Sequence, residues 1–432
     1  MKIGIIGAGI SGLSTALALA RRGHEVHVFQ REHAVGGLIA TFDFGGIPIE
    51  HFYHFLCTAD RGYFNLCKEL GIGDRLRFKK ASTGFYYEGR LFNMNSPLDL
   101  LRFSPIPFTQ RIRFGLFALE ARARTEWVQL DELTAKPWLI DRIGKQTYDV
   151  VWHPLLALKF GAFHDRISAA WMWHRIHRVA KCKGRMGYLE GGTALLLDTL
   201  LRGLKDAGVT IHPGQPVTGI LADENRVQGL RFEGAADFAC DRVVSTVPLS
   251  VLARLLPPHW EAYAKDLRRV DYIGVSCLIF KLRKRVSPHF WLNVHDHRVP
   301  FNGIIEYTNL NPLDGACHLA YVPYYTALDS PFYTMEETEL TLKSWEALKL
   351  LAPQLGDADL IDHHLARTPF AQAICPTGFL NIVPDMNAPI GGLHVLDSTL
   401  LYPEDRTQSG HILKGEACAN AIHGGAPDSG SG

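Results

Sequence analysis

The sequence carries almost no net charge. Its 45 Lys and Arg face 44 Asp and Glu, a formal balance of +1. No bulk field therefore favours nucleic acid as a partner. No uninterrupted apolar run approaches the roughly 18 residues of a membrane-crossing helix. Eight cysteines are scattered without a CxxC or any ligand-like spacing. Neither a zinc site nor a disulfide framework is expected, and the thiols read as free and buried in a reducing cytoplasm. The twenty histidines are dispersed and form no ligand set, so no metal is expected. The apolar residues at the start belong to a strand and not to a signal peptide. There is no internal repeat and no second GxGxxG.

What is present begins at Gly7-Ala8-Gly9-Ile10-Ser11-Gly12. Ile3, Ile5 and Ile6 form an apolar strand before it, and a helix rich in Ala and Leu follows over 11–22. A GxGxxG in strand–turn–helix context is a dinucleotide fingerprint. Gly7 permits the turn, Gly9 lets backbone approach a pyrophosphate, and Gly12 lets helix and strand pack closely. The loop alone suits NAD, NADP or FAD. Further along, 25–30 reads as a strand, and Gly36-Gly37 as a turn. Strands are expected at 209–211, 217–222, 227–232, 241–246, 275–280, 318–322 and 393–396. Helices are expected at 191–204, 335–351 and 407–421. Nucleotide-type segments at the start, middle and end argue for one binding domain assembled from three stretches. The expected division is 1–85, 185–250 and 375–424 for that domain, with 86–184 and 251–374 for a substrate domain and 425–432 a disordered tail.

The ordered motifs GAGISG, VHVFQREHAVGG, YLEGG, VTIHPGQPVTGI, DRVVSTVP and GLHVLDSTLLYPEDRTQSGHILKG span nearly the whole chain. Together they resemble the flavin-dependent amine oxidase, protoporphyrinogen oxidase and phytoene desaturase superfamily. The resemblance implies an α/β fold: a glutathione-reductase-type FAD-binding Rossmann domain with an interleaved α+β substrate domain. FAD would lie extended, with its isoalloxazine at the domain interface. Gly7, Ala8, Gly9, Ile10, Ser11 and Gly12 would hold the pyrophosphate, with Gly36, Gly37 and Leu38 beside it. Val217 would meet the adenine. Asp397, Ser398, Thr407 and Gln408 would meet the ribityl–pyrophosphate side and the flavin edge. Two positions depart from the family pattern. Gln30 stands where a ribose-binding Glu is usual, and an amide is the weaker partner. Gln30 with Arg31 would also suit a 2′-phosphate. Asp397-Ser398 replaces the terminal Gly-Asp.

Flavin carries the redox chemistry, so few protein groups are needed for it. His51 and His54 follow the cofactor path and are candidate acid/base groups. Lys159 and Arg175 resemble residues of UDP-galactopyranose mutase that lie by flavin and substrate phosphates. The plainer reading of both is solvated charge on an ordinary helix. Trp171 and Trp173 read as core. The apolar, arginine-rich stretch 102–124 suits either a half-buried helix or a peripheral membrane contact. Three functions compete: an oxidase, dehydrogenase or desaturase removing a hydride from a small or lipophilic molecule; a non-redox isomerase of a nucleotide sugar; and a non-catalytic flavin-binding protein.

Overall fold

The computed structural model describes residues 1–182, 184–313 and 317–425. A five-stranded parallel sheet has the order 210–213, 25–30, 2–6, 242–245, 393–395. Its strands come from the start, middle and end of the chain. They read as continuous apolar runs because both faces are covered: Ile3, Ile5, Val243 and Val244 are fully buried. The helix Ile10–Arg21 follows the first strand and packs on the sheet with the last helix, Gln408–Gly424. Their approach is close. A Cβ on Gly415 would lie 2.4 Å from Thr15 Oγ1, so glycine there sets the distance between the two helices. The helix Gly192–Asp206 adds a stripe of Leu196, Leu200 and Leu204 at fourfold spacing, all buried.

A seven-stranded sheet has the order 360–373, 272–282, 318–326, 303–306, 291–295, 83–87, 90–93. Every pair in it is antiparallel except 291–295 with 83–87. The strand Thr83–Tyr87 thus crosses position 85/86 and belongs wholly to this sheet. Helices between 97 and 181 form a group beside it, in which Phe108–Ala123 packs on Ala169–Lys181. Trp171 and Trp173 are buried in that packing, as the sequence suggests. The segment 41–50 is a hairpin, Thr41–Asp43 paired with Pro48–Glu50, because Gly45 and Gly46 both turn at positive φ. The expected tail lies outside the described residues from 426 onward.

Seven of the eight cysteines are buried, and all eight are free. Among the described residues no helix is long and apolar enough to cross a membrane, and no group of three or more His, Cys, Asp or Glu is placed to hold a metal ion.

Candidate active site

The glycine loop is built for a ligand that needs bare backbone. Gly7 turns at φ 102°, and its N–H donates to Phe29 O at 2.8 Å. A Cβ on Gly12 would lie 2.0 Å from Gly7 O, so the helix can begin only against a glycine. Gly9 pairs with Gly36 across a parallel bridge, and Gly36 N–H donates to Ala8 O. The two glycine segments therefore form one cradle. Gly36 itself turns at φ 122°, and a Cβ there would lie 2.9 Å from Ala40 Cα. Leu38 is half-buried in the short turn that follows. The first-turn N–H groups of the helix Ile10–Arg21, which include those of Ser11 and Gly12, have no intrahelical partner and suit phosphate.

Gln30 ends its strand and turns inward, where its Oε1 accepts from Ala8 N–H at 3.0 Å. Arg31 does not join it. Its guanidinium is exposed and bonds Glu32 at 2.8 Å, so the loop gains no cation from it. Val217 opens the strand 217–222 and is half-buried. Asp397 is buried, and its carboxylate accepts from Thr399 N–H at 2.8 Å, capping the short helix Ser398–Leu401. Burial pushes its carboxyl up from the usual range. Its side chain is committed to Thr399 N–H and to the Tyr272 hydroxyl, and Ser398 beside it is half-buried.

At the other end of this path, Thr407 caps the last helix, accepting from Gly410 N–H at 2.9 Å. Gln408 begins that helix. Its Oε1 is buried and has no partner among the described residues. Gln408 borders a cavity with Glu50, His54, Tyr63, Thr193 and Tyr307. Burial pushes the Glu50 carboxyl up to about 7. The same cause, reinforced by Arg406, pushes His54 down to about 4. At neutral pH His54 is an uncharged imidazole.

Beside this cavity six segments converge on a set of charged groups. Arg175 Nη1 donates to Asp405 Oδ2 at 3.0 Å. Arg406 donates to Gln372 Oε1 at 2.8 Å and to Tyr325 OH at 2.9 Å. Tyr325 and Tyr53 share a hydroxyl contact at 3.3 Å. Lys159 Nζ lies 4.7 Å from the Tyr325 ring and 5.2 Å from Trp171. Burial, then Arg175, and more weakly Arg406, push the Lys159 amine well below its ordinary range. Burial raises the Asp405 carboxyl, but Lys159, Arg175, Arg406 and Arg178 outweigh it and hold it well below the usual range.

A cradle that excludes Cβ atoms, a helix N-terminus with a free buried acceptor, and a polar cluster beyond it fit an extended dinucleotide. Against known proteins, the family model "Flavin containing amine oxidoreductase" matches residues 10–324. The chain belongs to that family. It is an FAD-dependent oxidoreductase. Among curated relatives it is similar to the 15-cis-phytoene desaturase of Synechococcus elongatus, 24% identical over 98% of this chain and 96% of that protein. Among solved structures it is similar to reduced UDP-galactopyranose mutase, with TM-score 0.78, 16% identity and coverage of 99% and 96%. It is likewise similar to putrescine oxidase bound to putrescine, with TM-score 0.74, 16% identity and coverage of 98% and 99%.

Of the four candidate catalytic residues, the structure brings His54, Lys159 and Arg175 to one region. It sends His51 elsewhere. His51 Nδ1 bonds His364 Nε2 at 3.0 Å, and its ring stacks on Phe42. The reason is local: His51 N–H donates to Ala40 O, which prolongs the 41–50 hairpin and turns the side chain toward the neighbouring strand. Asp405, Arg406, Gln372 and Tyr53 were not singled out from the sequence. The signal for two of them was visible, an Asp-Arg pair just before the cap of the last helix.

Proposed function

We propose that this enzyme removes a hydride from a C–H bond of a small or lipophilic molecule, with Lys159 taking the proton lost from the adjacent atom. FAD, when bound, supplies the two-electron acceptor for that bond. The observation that carries the reading is Lys159. It is 4% exposed, sits over Tyr325 at 4.7 Å, and burial, then Arg175, push its amine well below the ordinary lysine range. An amine shifted down in this way is more often free of its proton than an exposed lysine, and so is available as a base. Arg175 holds Asp405 in place. Asp405 in turn offers a charge that stabilises Lys159 once protonated.

The test is anaerobic mixing of the yellow holoenzyme with candidate substrates. A true substrate bleaches the visible flavin band stoichiometrically, and Lys159→Met slows the bleaching by about 100-fold or more. Turnover without net bleaching, seen only with pre-reduced enzyme and a nucleotide sugar, would replace this reading with the isomerase one. The cationic cluster is the feature that favours that second reading.

We propose further that the helix Phe108–Ala123 seats the enzyme on an anionic bilayer surface. Phe108, Ile112, Leu116 and Leu119 repeat along one face and are 44–62% exposed. Arg102, Arg113 and Arg122 are exposed around them. Phe117 and Ala121 on the opposite face are buried in the protein, so the outer stripe is not needed for the fold.

A further inference from the structure

Among the described residues Arg406 makes no direct ion pair, and the nearby Asp405 that attracts it is shared with Lys159, Arg175 and Arg178. Its guanidinium is half-buried and is held by two neutral oxygens, Gln372 Oε1 and Tyr325 OH. Among the described residues, no carboxylate lies within ion-pair distance of it. Asp405 is next in sequence, but its carboxylate is engaged by Arg175 Nη1 and by Arg406's own backbone N–H. The surroundings add more positive potential, because Arg175 and Arg178 lie in the same region. Arg178 is already matched by Asp60, its Nη2 lying 3.3 and 3.2 Å from the two carboxylate oxygens. A desolvated cation held only by neutral acceptors and a shared carboxylate is incompletely compensated. Proteins retain such a group where a ligand completes the pair. The geometry suits an anion, since the fork is pre-oriented by two fixed acceptors and two phenols stand beside it, Tyr325 and Tyr53.

We propose that Arg406, with Tyr325 and Tyr53, docks an anionic group of the substrate, a carboxylate or a phosphate. This rests on the hydride-transfer reading of the same site and makes Arg406 a specificity-determining residue. It separates this enzyme's substrate from a plain hydrocarbon. The anion would bridge Arg406 and, as it arrives, favour protonation of Lys159 beside it. The negative charge of the reduced cofactor is the other source of an anion here, and the experiment distinguishes the two.

Oxidised holoenzyme is titrated with inorganic phosphate and, separately, with decanoate, at constant ionic strength set by chloride. Binding is followed by the flavin difference spectrum and by calorimetry, with flavin content and photoreduction recorded on the same samples. The expected result is saturable binding of one anion, weakened about tenfold or more in Arg406→Met. Arg406→Lys should recover part of it, and Tyr325→Phe should weaken it less. Fully flavinated, photoreducible protein that binds neither anion overturns the docking site and leaves the hydride reading standing. Equal binding in wild type and Arg406→Met overturns it as well. A lowered flavin midpoint potential in Arg406→Met, with anion binding unchanged, assigns Arg406 to the cofactor's charge and overturns substrate docking. Should Arg406→Met lose flavin or unfold, Arg406→Lys and Tyr325→Phe decide the question by the same titration.

Discussion

Lys159→Met tests the electrostatics of the site most directly. As an ammonium, Lys159 would have three rings in reach, at 4.7, 5.2 and 5.6 Å. Cation–π contacts are worth about 0.5–2 kcal/mol each. Against them stand a desolvation cost of several kcal/mol per ion and repulsion from Arg175 and Arg406, opposed chiefly by Asp405. Burial wins, and the folded chain holds the amine's proton less tightly than the unfolded chain does. Wherever the unfolded state binds more protons, stability rises with pH. The Lys159 contribution is therefore unfavourable below its ordinary value of 10.5. It is worst once pH falls through the folded value and fades as pH climbs toward 10.5. Met fills similar volume with no charge to desolvate. We expect Lys159→Met to be about 1–3 kcal/mol more stable near neutral pH. Its stability should also rise less steeply with pH on the alkaline side. The assay is urea unfolding of wild type and variant at several pH values, with free FAD held constant because ligand binding itself adds stability. A variant less stable than wild type at every pH, with the same slope, would show that the amine is charged and that its aromatic cage holds it.

Four further outcomes are expected. Glu50→Gln should remove a pH effect. With its folded value raised from 4.5 to about 7, wild type should lose about 3 kcal/mol as pH rises through that window; a variant with the same pH profile in urea unfolding would exclude Glu50 as the cause. Gln30→Glu keeps the acceptor for Ala8 N–H and adds a charged partner for ribose hydroxyls, so FAD should bind about tenfold more tightly; unchanged or weaker binding would show that residue 30 does not meet the ribose. Gly36→Ala places a Cβ 2.9 Å from Ala40 Cα at a positive φ, and purified protein should come without flavin; full flavin content would refute the cradle. Leu116→Glu with Leu119→Glu should abolish sedimentation with anionic phosphatidylglycerol vesicles while leaving flavin content unchanged, and equal sedimentation would remove the bilayer from the account.

The cofactor half of the molecule was legible because its signals are local. A strand, a turn and a helix occupy consecutive residues, and the close approach of Gly12 to Gly7 O is enforced within that stretch. The parallel strands were legible for a related reason: burial on both faces leaves continuous apolar runs. The charged site lacks that property. Arg406 reaches partners 34 and 81 residues away in sequence, on two strands of the seven-stranded sheet. No periodicity in the last motif announces them. His51 and His54 show the same limit at short range. They are three residues apart after one hairpin, yet one joins His364 on a distant strand and the other lines the cavity at Gln408. Contacts with residues more than 300 positions away separate them, and no local pattern encodes those contacts. Gln30 is the instructive case, since the sequence marked it as a departure and the structure gives it a task. Its amide oxygen takes the Ala8 N–H that would otherwise lie open at the turn. A residue chosen to brace the loop holds ribose less strongly than a carboxylate would. Gln30 thus braces the turn at the proposed adenosine end, and Arg406, the proposed docking point for the substrate's anion, lies at the other end of the path.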